Sequence, residues 1–219
     1  MSDLFREIDE ELRREKLERL WQRHGTLLVV LVVLALAAFG GWRYYMWQKA
    51  SSAEADGVSF EQAISLSKAG KAKEADALFS KLATSGHGGY RILASFRAAA
   101  DLAQTDKPGA VKAFDALAGD SGLSQVLREL AQIRAATLEV DSASYQDMAK
   151  RVEGLASAGG AWRNSARELM GLVSYRTGEL ESAGKWFDQI VVDREAPPSQ
   201  RQRAQLMLEL VRGGPVPKS

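Results

Sequence analysis

Gly86-His87-Gly88-Gly89 is the stretch of this sequence closest to reaction machinery, because a glycine-rich turn beside an imidazole offers backbone N–H groups of the kind found in an oxyanion hole. Such a hole works only next to a nucleophile, and the sequence has no Gly-x-Ser-x-Gly elbow and no cysteine. His24 and His87 are the only imidazoles, and they lie on opposite sides of a long apolar segment, so no His pair can form a metal or proton-relay site. The turn is therefore expected to be a flexible link between helices. Glu179 and Glu181 flank the Thr177-Gly178 turn, where carboxylates suit the positive end of the following helix better than acid–base chemistry. No phosphate loop and no His-Glu-x-x-His motif occurs, so no enzymatic activity, cofactor, metal or small-molecule substrate is expected. Lys plus Arg number 29 against 28 Asp plus Glu, a net charge of +1, which provides no field for nucleic acid.

What the chain must position instead follows from its hydropathy. Mean hydropathy is −0.21 over the 219 residues, yet residues 25–42 carry no charge and centre on the run Leu27 to Leu34. Eighteen helical residues cover about 27 Å, close to the roughly 30 Å hydrocarbon core of a bilayer, so a transmembrane helix is expected. A cleaved signal peptide is the main rival, since Ala35-Leu36-Ala37 fits a small-residue cleavage pattern. Seven acids in the preceding 24 residues are unlike a basic signal n-region, and favour a permanent anchor.

Residues 5–24 hold six Lys or Arg and residues 43–62 only two, so the positive-inside rule places the N-terminus in the cytoplasm. Trp21 on one side and Trp42, Arg43, Tyr44, Tyr45 and Trp47 on the other are candidate membrane-interface anchors, with the bilayer as partner. Leu4, Phe5, Ile8 and Leu12 share one helical face, so residues 1–24 read as a cytoplasmic amphipathic helix, 25–47 as the span with its aromatic anchor, and 48–219 as a periplasmic domain. Residues 51–57 read as a small, polar join.

From 59 to 211 the apolar residues recur at helical spacing, broken by short Gly, Ser, Asp and Pro stretches into about nine helices, with no strand alternation. The expected class is all-α, with helical repeats. Ala75/Phe79, Ala110/Phe114, Met148/Val152 and Ala183/Phe187 align at steps of 35, 38 and 35 residues, near the 34-residue tetratricopeptide period. In three of these units Ala then Phe at i, i+4 lets helices approach and then fills the space between pairs, and the Met148/Val152 unit departs from this pattern. Preceding helices are read from Phe60-Ala63-Leu66-Ala69, Leu93-Phe96-Ala100, Leu127-Leu130-Ile133-Arg134-Ala135 and Leu169-Leu172-Tyr175, with a generic helical bundle as the alternative. Trp186 reads as a packing residue, and Trp162, after Gly159-Gly160, reads as packing with a protruding contact residue as the alternative. Arg91, Arg97, Arg134, Arg163 and Arg167 could line a groove, although solvated helix faces suit them as well, so no partner-binding residue is assigned.

The charged N-terminal helix, the span ending in Gly41-Trp42-Arg43-Tyr44 and the degenerate repeats together resemble the single-pass, tetratricopeptide-like ancillary subunits of the bacterial SecYEG translocon. That resemblance implies a bacterial inner-membrane protein whose periplasmic domain meets the Sec translocon and periplasmic folding factors, including chaperones. A structural scaffold of another envelope or respiratory complex is the competing expectation.

Overall fold

The computed structural model describes residues 2–157 and 159–214, with side chains from residue 25 onward. The described residues contain helices and turns and no strand. They run α1 (Ser2–Lys68), α2 (Ala72–Ser85), α3 (Gly88–Leu102), α4 (Lys107–Gly119), α5 (Gln125–Glu139), α6 (Tyr145–Val152), a 3-10 turn (Glu153–Ala156), α7 (Arg163–Thr177), α8 (Leu180–Val192) and α9 (Pro198–Arg212). Contacts divide the chain into two compact units, Met1–Ala55 and Asp56–Ser219.

In the first unit, one helix among the described residues is long and apolar enough to cross a membrane, with a mean hydropathy of 2.3 in its most apolar window. The backbone of residues 51–57, expected as a join, is helical. Ala50, Ala53 and Ala55 are strong helix formers and no proline intervenes, so the polar residues alone do not stop the helix.

The second unit begins with the end of α1. Every aligned pair of the repeat register is buried: Ala75 and Phe79 (1% and 0% exposed), Ala110 and Phe114 (0% and 3%), Met148 and Val152 (1% and 0%), Ala183 and Phe187 (both 0%). Neighbouring helices stack in sequence order: α3 on α4, α5 on α6 and α7 on α8 within pairs, and α2 on α3, α4 on α5 and α8 on α9 between successive pairs. Breaks between helices are set locally. Asp106 accepts a hydrogen bond from the Gly109 N–H at 2.9 Å to start α4, and Ser144 accepts one from Asp147 N–H at 3.1 Å to start α6. At the end of α7, Gly178 takes φ +86, where a side chain would be strained, and Glu179 N–H closes back on Ser174 O at 2.8 Å.

Two helices face two cores at once, and this shifts one expected face. In α3, Ala94 and Ala98 pack with Ala63 and Phe79, while Phe96 and Ala99 pack with Phe114. Leu93, expected inside, is 53% exposed, and Ala69 and Ala100 are exposed as well. A helix wedged between neighbours needs small residues on two sides, so the alanines rather than the leucine mark its buried faces. In α5 the same division puts Ala131 and Ala135 against Phe114, and Ile133 and Ala136 against Met148 and Val152.

Candidate partner-binding groove

Helices α5 and α7 lead successive pairs, α9 follows α8 as the next helix of the stack, and residues of all three line one surface. A cleft of about 350 Å³ runs there, floored by Leu130, Ile133, Leu169 and Leu172. Trp162 stands at one end. Its indole N–H donates to Val126 O at 2.9 Å, so the ring that packs on the Met148 core is also pinned towards the start of α5. On the wall, Arg203 of α9 donates from Nε and Nη2 to the two oxygens of Glu168 on α7 at 2.6 and 2.9 Å. This fork-to-fork pair holds the Arg203 guanidinium pKa above its ordinary value through the Glu168 hydrogen bond, with burial opposing. Gln200 Nε2 donates to Ser165 Oγ at 3.2 Å beside it. Thr137 and Arg134 complete the α5 side of the cleft, and Arg134 is exposed. Among the described residues, Arg134 forms no ion pair. The arrangement supplies an apolar floor, a fixed aromatic end, an internally neutralised ion pair and one uncompensated cation.

The five arginines considered from sequence do not converge on this cleft. Arg134 lines it, and Arg91 lies exposed on α3. Arg97 reaches Asp101 and Ser67 at 3.0 Å each and sits 5.7 Å over the Phe79 ring. Arg163 and Arg167 depart from the expectation of solvated faces: their side chains are 14% and 11% exposed. Both converge on Asp193, Arg163 Nε at 2.7 Å and Arg167 Nη1 at 3.2 Å, together with Asn164 Nδ2 at 3.0 Å. The cause is the turn after α8, which brings a carboxylate back over the first turns of α7. Hydrogen bonding from Arg163 holds the Asp193 pKa well below the usual carboxylate range, against the opposing effect of burial.

Other residues singled out by sequence fall into structural roles. His87 precedes α3, and its N–H and Nδ1 both meet Asp56 Oδ2, at 2.6 and 3.0 Å, so Asp56 of α1 closes the start of that helix. Glu181 pairs with Lys185 at 2.6 Å within α8. Trp186 is half-buried on the same core as Trp162. Trp42, Tyr44, Tyr45 and Trp47 are 62%, 63%, 61% and 64% exposed on α1, and Arg43 is exposed beside them. The Trp21 side chain lies outside the described residues.

Sequence reasoning named Arg134 but missed Glu168, Arg203, Gln200, Ser165 and Thr137 as groove residues. A usable signal existed. Glu168 and Arg203 are 35 residues apart, as are Ser165 and Gln200, while Trp162 and Val126 are 36 apart. Residues one repeat period apart occupy equivalent places on adjacent leading helices, so complementary polar types at that spacing point to cross-groove partners. No curated protein and no solved structure matches the chain. A model of the tetratricopeptide repeat-like domain family matches residues 18–209, in agreement with the repeat register and the stacked pairs, and the chain belongs to that family.

Proposed function

We propose that this chain is a membrane-anchored, non-enzymatic protein-interaction module, working as an accessory of the Sec translocon together with periplasmic folding factors. The open groove along α5, α7 and α9 carries the interaction reading, because stacked tetratricopeptide-like pairs use such surfaces to hold other polypeptides. The anchor is supported by the unpartnered apolar helix: Leu27 through Leu34 are 49–64% exposed, a face that lipid covers and water does not favour. Trp42, Arg43, Tyr44, Tyr45 and Trp47 would lie at one headgroup layer and Trp21 at the other. The Lys and Arg asymmetry supports an N-terminus in the cytoplasm, a span over 25–47, and a domain from 48 to 219 in the periplasm of a bacterial inner membrane. The Sec assignment rests on the resemblance of Gly41-Trp42-Arg43-Tyr44 and of the overall layout.

Crosslinking in intact membranes, followed by purification of the full chain in mild detergent and identification of its adducts, tests this reading. Adducts with translocon subunits, emerging chains and folding factors are expected. Adducts confined to another stable envelope or respiratory complex would replace the translocon reading with a scaffold role. No protein adduct at all would overturn the interaction reading itself.

A further inference from the structure

We infer that the α5–α7–α9 groove selects protein segments in which an acidic side chain stands among apolar ones, and that Arg134 reads the acid. This inference rests on the interaction reading above and specifies the chemistry of the partner.

The argument is one of charge and surface. The cleft floor is apolar, with Ile133 7% and Leu169 6% exposed, so its packing shape is fixed by the core beneath it. A segment lying on that floor would bury apolar side chains there, with the pinned Trp162 ring as an end wall. The charges on the walls are not equivalent. Glu168 would repel an acidic ligand and Arg203 would attract one, but both oxygens of Glu168 are held by Arg203, and the pair presents almost no net charge to a ligand. Arg134 is different. Its neighbours one turn away on α5, Leu130, Ala131, Thr137 and Leu138, include no carboxylate, and no described residue forms an ion pair with it. The groove therefore carries a net positive charge located at one guanidinium. A carboxylate that approaches Arg134 meets a free planar fork and need not displace an existing partner. A basic segment would face that unpaired cation across an apolar floor and is selected against.

The test uses the full chain in phospholipid nanodiscs and three matched sets of fluorescently labelled apolar decapeptides. The sets differ at one central position, which is Glu, its neutral isostere Gln, or Lys, and binding is read by fluorescence anisotropy. Glu peptides are expected to bind about fivefold more tightly than Gln peptides, within the range of exposed ion pairs, and Lys peptides more weakly than either. Arg134→Gln should abolish the Glu preference, and Arg134→Glu should reverse the order in favour of Lys. The reversal is a gain of binding that an unfolded variant cannot produce, and an unchanged thermal melt for both variants checks the fold independently. Equal binding of all three sets, or a Glu preference that survives Arg134→Gln, would overturn the selectivity inference. If no set binds while partners still crosslink in membranes, the groove is overturned as the contact surface and the interaction reading stands. If neither occurs, both fall.

Discussion

Gly171 of α7 and Phe187 of α8 are expected to be energetically coupled, and the coupling tests the repeat register at its best-defined unit. Phe187 is fully buried, and a Cβ added at Gly171 would come within 2.7, 2.8 and 3.0 Å of Phe187 Cζ, Cε1 and Cε2. The ring thus lies directly on the glycine. Phe187→Ala removes the ring and leaves a cavity, at about 3–5 kcal/mol. Gly171→Ala alone overpacks the contact by about 1–3 kcal/mol, offset by about 1 kcal/mol of helix propensity, for a net loss of about 0–2 kcal/mol. With both substitutions the ring is absent, the new methyl occupies part of the hole, and the propensity gain of about 1 kcal/mol is realised. The double variant should then be more stable than Phe187→Ala by about 1 kcal/mol, and the interaction energy should be about 1–3 kcal/mol in favour of the pair. Urea unfolding of the full chain in detergent micelles, followed by circular dichroism with m values compared, measures all three variants. Strictly additive effects, or a Phe187→Ala variant that unfolds with the parent, would refute the packing argument.

Asp193 is held below its unfolded pKa, so its stabilisation is fully present above about pH 4 and is lost as pH falls through the folded value. Asp193→Asn should be less stable than the parent at pH 7, with the gap closing below about pH 4, as read by thermal melts across pH; a gap independent of pH would contradict the ion-pair account. Removing the Asp56 carboxylate should release the His87 contacts and cost about 0.5–2 kcal/mol, as for other helix caps. Faster amide exchange in the first turn of α3 is expected in Asp56→Ala, and unchanged exchange there would discount the cap. Protease added to spheroplasts should remove the repeat domain and spare an N-terminal tag, whereas loss of the tag with a protected C-terminal domain would invert the proposed topology.

The repeat register was legible because its signal is local and short. Ala or Met followed four residues later by Phe or Val recurs at steps of 35, 38 and 35 residues, and all eight residues are buried. Helix ends near Asp106 and Gly178 were legible for the same reason, since both act on backbone groups within a few residues, whereas the Ser144 cap of α6 was not singled out. The face of α3 was not, because its burial depends on two neighbours, and a leucine is left outside when alanines are needed for close approach. Nor was the Asp193 cluster, whose partners are 26–30 residues away across a turn, so that Arg163 and Arg167 read as ordinary surface cations. Composition alone also suggested a break over 51–57, where helix-forming alanines carry the backbone through. The groove was half legible: Arg134 was in view, while Glu168 and Arg203 needed the period to be applied to polar residues as well as to the core.

Site-specific photo-crosslinking in living cells tests the central claim most directly. A photoreactive residue is placed in turn at Thr137 in the groove and at Lys185 on α8, which is exposed and forms no part of the groove lining. A membrane-anchored module that holds partners between its leading helices should yield discrete protein adducts from position 137 and few from 185. Equal adducts from both positions, or adducts from 185 alone, would contradict the assignment of the groove as the working surface.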